Sequence, residues 1–155
     1  GNCLPADRQH NYLFRIGFPL SFVAEQAGGV PQEVAKIISG CPMMGKAVAN
    51  LDACTVKGSS SLLYMTAEQT VRKQETNCIR CAKCADACPM GLEPFLLNKL
   101  ARNGMYDALE ENGVHDCIEC GCCLYTCPAN IPLLDTIRLA KGDVIKIIRS
   151  RAPTK

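Results

Sequence analysis

The sequence predicts an α+β chain in two parts: a small mixed unit, then a helical unit organised around spaced cysteines. Three observations predict it. Up to about residue 66, one helix-spaced apolar stripe alternates with short apolar runs between glycine turns. From residue 78 onward a cysteine run occurs twice, and the segments between and after the two runs carry helical periodicity. Finally, 5% of the 155 residues are aromatic and none is Trp, against 12 cysteines. That is little material for a large conventional core, and metal ligation can replace missing apolar burial.

Residues 1–14 read as polar and irregular, with Cys3 and His10 standing alone and carrying no ligand pattern. Pro19 suits a first helical turn. Leu20, Val23, Ala24 and Ala27 then fall on one face, and Gly28-Gly29 ends the helix. Ala35 to Ser39 reads as a buried strand, Gly40 to Gly45 as a turn, and Ser60 to Met65 as a second strand. Met43 and Met44 read as core fillers, and Cys41 and Cys54 as buried free thiols. Residues 67–77, polar and charged, read as a connector between the 1–66 module and the 78–155 domain. Pro94 to Asn103 and Met105 to Glu111 read as helices ended by Gly104 and Asn112-Gly113. Leu133 to Ser150 reads as the longest helix, its stripe of Leu133, Ile137, Ala140, Val144 and Ile148 suited to packing rather than to a membrane surface. Gly142 weakens it by roughly 1 kcal/mol relative to Ala.

The first cysteine run is Cys78-x2-Cys81-x2-Cys84-x3-Cys88-Pro89, and the second holds Cys117, Cys120, Cys123 and Cys127-Pro128 in the same spacing. Three thiolates at two-residue gaps lie on one tight loop and can cap three irons of a cubane. The cysteine after the three-residue gap ligates the other cluster of a two-cluster protein, and the proline stops helical continuation. The spacing therefore assigns Cys78, Cys81, Cys84 and Cys127 to cluster I, and Cys117, Cys120, Cys123 and Cys88 to cluster II. Cys122 falls outside the two-residue gaps and is read as a non-ligand. Disulfides pair such loops badly. Zinc more often takes two distant Cys-x2-Cys pairs. Both stand behind two [4Fe–4S] clusters.

Other chemistry is thin. Net charge is +2, no electrostatic footprint for nucleic acid. No Gly-x-Gly-x-x-Gly follows a strand, no phosphate-binding loop appears, and no Ser/His/Asp set or carboxylate pair reads as a catalytic site. Thiolate cysteines imply a reducing compartment. No apolar run of about 18 residues and no signal-peptide pattern is present, and Gly1 in place of Met fits a piece of a longer chain. Arg80 and Lys83 flank the first loop and Asp116 and Glu119 the second; they read as solvated surface charges, the alternative being an asymmetry that steers an acidic partner to the first loop.

Arg15-Ile16-Gly17, the turn Gly40-Cys41-Pro42-Met43-Met44-Gly45, Lys57-Gly58-Ser59, Met90-Gly91-Leu92-Glu93-Pro94 and Cys117-Ile118-Glu119-Cys120-Gly121 together resemble RnfC, a peripheral component of the Rnf ion-translocating electron-transport complex. The resemblance implies a β-grasp module of the soluble-ligand-binding (SLBB) type over residues 15–66, followed by an α-helical ferredoxin domain. It also implies an upstream domain for FMN and NADH that these residues lack. Electrons would pass between NADH and a ferredoxin-like partner, beside the membrane subunits of the complex, on the cytoplasmic side of the cell membrane. A free-standing ferredoxin-like carrier and a metal-stabilised interaction module are the alternatives; a second module beside the cluster loops favours the complex.

Overall fold

In a computed structural model of the chain, residues 11–151 are described, so Cys3 and His10 lie outside the described residues. The chain divides between Arg72 and Lys73 into two compact units.

In the first unit, helix α1 (Leu20–Gln26) buries Leu20 and Ala24, one turn apart on its apolar face. Strands β1 (Val34–Ser39), β2 (Lys46–Ala47) and β3 (Leu62–Thr66) form an antiparallel sheet in the order β2-β1-β3. Ile38 pairs with Ala47 on one side and Leu63 on the other. β2 is too short to leave a periodic trace in sequence, and β1 is less buried than its apolar run predicts, with Ile38 alone fully covered. Part of the predicted connector is structured: α2 (Ala67–Thr70) starts at a capping box in which the Thr66 N–H donates to Gln69 Oε1 at 3.1 Å.

The Gly40–Gly45 turn explains where the sequence reading fails. Gly40 has φ +106°, and a Cβ on Gly45 would lie 2.5 Å from both the Cys41 carbonyl oxygen and Ile38 Cγ2. The backbone closes on itself there, with the Gly45 N–H donating to Cys41 O at 2.7 Å. Side chains between the glycines therefore point outward. Met43 and Met44 are 43% and 51% exposed rather than core fillers. Cys41 and Cys54 are exposed rather than buried.

The second unit is helical. Helices α3 (Lys83–Asp86), α4 (Pro94–Arg102) and α5 (Tyr106–Glu111) are followed by a 3-10 turn at Val114–Asp116 and by α6 (Cys122–Tyr125) and α7 (Leu133–Arg151). Its core is aliphatic: Leu97 and Leu100 of α4, Leu109 of α5 and Val114 meet Leu133, Ile137, Ala140 and Val144 of α7. The α7 stripe is thus spent on packing, and its last member, Ile148, is exposed. Among the described residues no helix is long and apolar enough to cross a membrane.

The cysteine repeat extends to the backbone. Cys78 and Cys117 are 39 residues apart, and so are the starts of α3 and α6 and of α4 and α7. Left-handed φ recurs at the same step: Arg80 (56°) with Glu119 (56°), Ala82 (59°) with Gly121 (83°), and Gly91 (66°) with Asn130 (52°). Three of these six residues are neither Gly nor Asn. A conformation that L side chains rarely adopt, held twice at equivalent positions, marks the two loops as strained segments of the kind that cluster at binding sites.

Candidate metal centre

Each loop curls through its two left-handed residues, then enters a one-turn helix that carries the third cysteine, Cys84 in α3 and Cys123 in α6. A second left-handed turn follows the proline, closed by Gly91 N–H to Cys88 O (3.1 Å) in the first repeat and Asn130 N–H to Cys127 O (3.3 Å) in the second.

A narrow cavity brings the second set together. It is lined by Cys117, Cys120 and Cys123 of the second loop and by Cys88 of the first, against apolar walls that include Leu92, Leu134 and Ile137. Its free volume is about 20 Å³, room for a single water. Among the described residues no three His, Cys, Asp or Glu side chains are gathered closely enough to hold one metal ion. A cubane spreads its irons, and its thiolates stand further apart than the ligands of a single ion. The donor set of four thiols in an apolar wall fits such a cluster. The larger cavity, about 670 Å³, lies in the first unit among residues such as Tyr12, Arg15, Leu20 and Tyr64, and no cysteine among the described residues lines it.

The other set is more open. Cys78 and Cys81 are exposed and Cys84 is half-buried. Cys127 stands near enough to Cys84 to push its thiol pKa up electrostatically, a smaller effect than burial. The chain leading into the first loop is tied to the chain leaving the second: Thr76 N–H donates to Ala129 O at 2.9 Å, and Asn130 Nδ2 to Gln74 O at 3.4 Å. This pairing places Cys127 on the side of the first loop.

Burial raises the thiol pKa at Cys84 and Cys117, and pushes Cys123 up to about 11. Oriented N–H groups work the other way. The Phe95 N–H, at the N-terminus of α4, lowers the Cys84 pKa, and the Leu124 N–H lowers that of Cys123. The Glu119 N–H donates to Cys117 Sγ at 3.4 Å. Such donors stabilise a thiolate, the form that binds iron. Cys122 does not line the cavity, and a hydrogen bond with Cys120 raises its pKa. The equivalent position in the first loop is Lys83, which has no thiol at all.

Two basic residues of α7 fix the second loop, and the sequence reading missed both. Arg138 Nε donates to Glu119 Oε2 at 2.7 Å, while Lys141 Nζ lies 3.7 Å from Glu119 Oε1 and donates to Cys117 O at 2.6 Å. All three side chains are less than a third exposed. Glu119 is therefore a neutralised structural partner rather than a free acidic steering charge, and only Asp116, 3.6 Å from His115, remains an exposed acid beside that loop. The i, i+3 spacing of Arg138 and Lys141 marks one helix edge, but only the fold says which loop that edge meets.

Known proteins resemble this chain over most of its length. The family model described as a 4Fe-4S dicluster domain matches residues 70–128. The chain is 42% identical over 131 residues to the C-subunit of the Na(+)-translocating ferredoxin:NAD(+) oxidoreductase complex of Acetobacterium woodii, covering 84% of this chain and 30% of that protein. The resemblance to the RnfC family is borne out. The C-subunit of the proton-translocating ferredoxin:NAD(+) oxidoreductase complex of Clostridium ljungdahlii is 44% identical over 101 residues, 65% of this chain and 22% of its own. The C-subunit of the ion-translocating oxidoreductase complex of Rhodobacter capsulatus is 39% identical over 137 residues, 88% of this chain and 26% of its own. The chain thus spans less than a third of the length of these relatives.

Proposed function

We propose that this chain carries electrons through two cross-ligated [4Fe–4S] clusters, as part of an ion-translocating ferredoxin:NAD oxidoreductase complex. Cys78, Cys81, Cys84 and Cys127 would hold cluster I, and Cys117, Cys120, Cys123 and Cys88 cluster II. The observation that carries the reading is the cavity in which Cys88 of the first loop joins the three cysteines of the second. Bound there, the clusters supply one-electron carriers whose potential is set by charge, hydrogen bonds and solvent access.

The chain's own residues do three things for them. The loops present thiolates whose sulfurs are met by backbone N–H groups. The aliphatic core of α4, α5 and α7 holds the two loops in register. Sharing one cysteine each way keeps the centres close neighbours, as electron hopping between them requires. The described part of the first unit, two short helices beside a three-stranded antiparallel sheet, supports a β-grasp module of the SLBB type. Nicotinamide and flavin chemistry would belong to an upstream domain. The other membrane subunits and a ferredoxin-like protein would be the partners, at the cytoplasmic face of the membrane.

The test is iron and acid-labile sulfide content of anaerobically prepared protein, with its absorption before and after dithionite. About eight of each per chain, with reversible bleaching, is expected. Zinc in place of iron, or iron that cannot be reduced, would leave only an interaction module held together by metal.

A further inference from the structure

The repeat makes the two centres comparable wall by wall. Moving each residue that lines the Cys88/Cys117/Cys120/Cys123 cavity by 39 positions gives its counterpart around the other set. Leu92 becomes Ile131, Met90 becomes Ala129, Ile118 becomes Ile79 and Leu134 becomes Phe95, all apolar for apolar. One position changes character. Ile137, fully buried against the second set, becomes Asn98.

Asn98 is the single buried polar residue among those described, 8% exposed. Its amide oxygen Oδ1 is buried with no hydrogen-bond partner. An orphaned amide buried in an aliphatic core costs free energy unless a partner completes it. The backbone N–H of Phe95, at the start of the same helix, acts on the Cys84 thiol, so α4 begins at the first loop, and the 39-residue register puts Asn98 on α4 where Ile137 stands on α7 against the second set. Rotating the amide by half a turn about its last torsion exchanges oxygen for NH2 with little change in shape, and turns the orphaned end into a donor. A thiolate or cluster sulfide is an acceptor of that kind.

We infer that Asn98 donates an N–H···S hydrogen bond to cluster I, for which cluster II has no equivalent, and that this bond raises the reduction potential of cluster I. This rests on the two-cluster reading above. A donor to sulfur stabilises the more negative, reduced cluster and so raises its potential. Asn98 is a tuning residue; the ligands remain the eight cysteines.

The experiment is a redox titration of anaerobically reconstituted protein followed by electron paramagnetic resonance, after iron has been counted in every sample. Wild-type protein with the iron of only one cluster would overturn the two-cluster reading and this inference with it. With both clusters present, Asn98→Leu is expected to keep full iron, to lower one midpoint potential and to leave the other in place. The reciprocal Ile137→Asn is expected to raise the other midpoint. Two unchanged potentials in fully loaded Asn98→Leu would overturn the inference while leaving the two-cluster reading intact. Loss of half the iron in that variant would also overturn it, since Asn98 would then be shaping the site rather than tuning it.

Discussion

The two cysteine loops share a backbone and differ in what surrounds it. Both place left-handed residues at the same steps, Arg80 and Ala82 in one, Glu119 and Gly121 in the other. The second is enclosed, with Gly121 buried, Cys117, Cys120 and Cys123 half-buried, and α7 reaching over it with Arg138 and Lys141. The first leaves Cys78, Cys81 and Arg80 exposed. Ligand geometry is set by the loop itself, whereas solvent access and charge are set by the helix that follows. α4 ends at Arg102, and the corresponding α7 runs on to Arg151. A duplicated motif can thus hold two identical groups in different electrostatic settings, which gives an electron a direction of travel.

The largest expected effect comes from removing iron. Under anaerobic chelation, amide exchange should rise by orders of magnitude over residues 78–88, where little but ligation would hold the left-handed backbone, and less over residues 117–127, which Arg138 and Lys141 also clamp. The core helices α4, α5 and α7 should keep most of their protection, and residues 15–66 all of it. Equal loss across the whole second unit would mean that its aliphatic core is weaker than its packing indicates. Next in size is Arg138→Ala. It removes the 2.7 Å bond to Glu119 and leaves that carboxylate partly buried beside Cys117. Oxidative loss of one cluster should quicken several-fold while the other decays at its wild-type rate, followed by absorbance in air. Matched acceleration of both would show that the clamp is not specific to the second loop.

Smaller effects test α7 and the odd thiol. A Cβ on Gly142 meets nothing within 4 Å. Gly142→Ala should therefore stabilise the second unit by about 1 kcal/mol through helix propensity, read by denaturant unfolding of the loaded protein, with both cluster spectra unchanged. Destabilisation would mean that the glycine serves a contact outside this chain. Cys122→Ser should change nothing in iron content, since Lys83 fills the equivalent place in the first loop. Loss of half the iron there would make Cys122 a ligand.

How much of this was legible in the sequence depends on what determined each element. The stripes of α4 and α7 are set by local periodicity and burial, so Leu97, Leu133, Ile137 and Val144 stand where spacing puts them. The spacing singles out eight thiols, and the fold gathers Cys88 with Cys117, Cys120 and Cys123 around one cavity. The one-turn helices α3 and α6 are not, since Arg80, Ala82 and Glu119 give no glycine cue for their left-handed turns. Thr66-x-x-Gln69 was a readable capping box inside an apparently polar connector. Met43, Met44 and Cys41 are misplaced because apolar character alone does not say that a small three-stranded sheet has too little interior to cover a turn at its edge, and Cys54 is exposed at a separate bridge to Pro19. The wall difference at Asn98 needed the 39-residue register, which the cysteines supply, and its burial, which they do not.

The central claim is that each loop completes the other's cluster. Diffraction from anaerobically grown crystals, with data collected at the iron absorption edge, tests it most directly. The account predicts two separate four-iron centres, with Cys88 Sγ bonded to the one held by Cys117, Cys120 and Cys123, and Cys127 Sγ bonded to the one held by Cys78, Cys81 and Cys84. Cys88 bonded to the centre of its own loop, or a single centre shared by both loops, would contradict it.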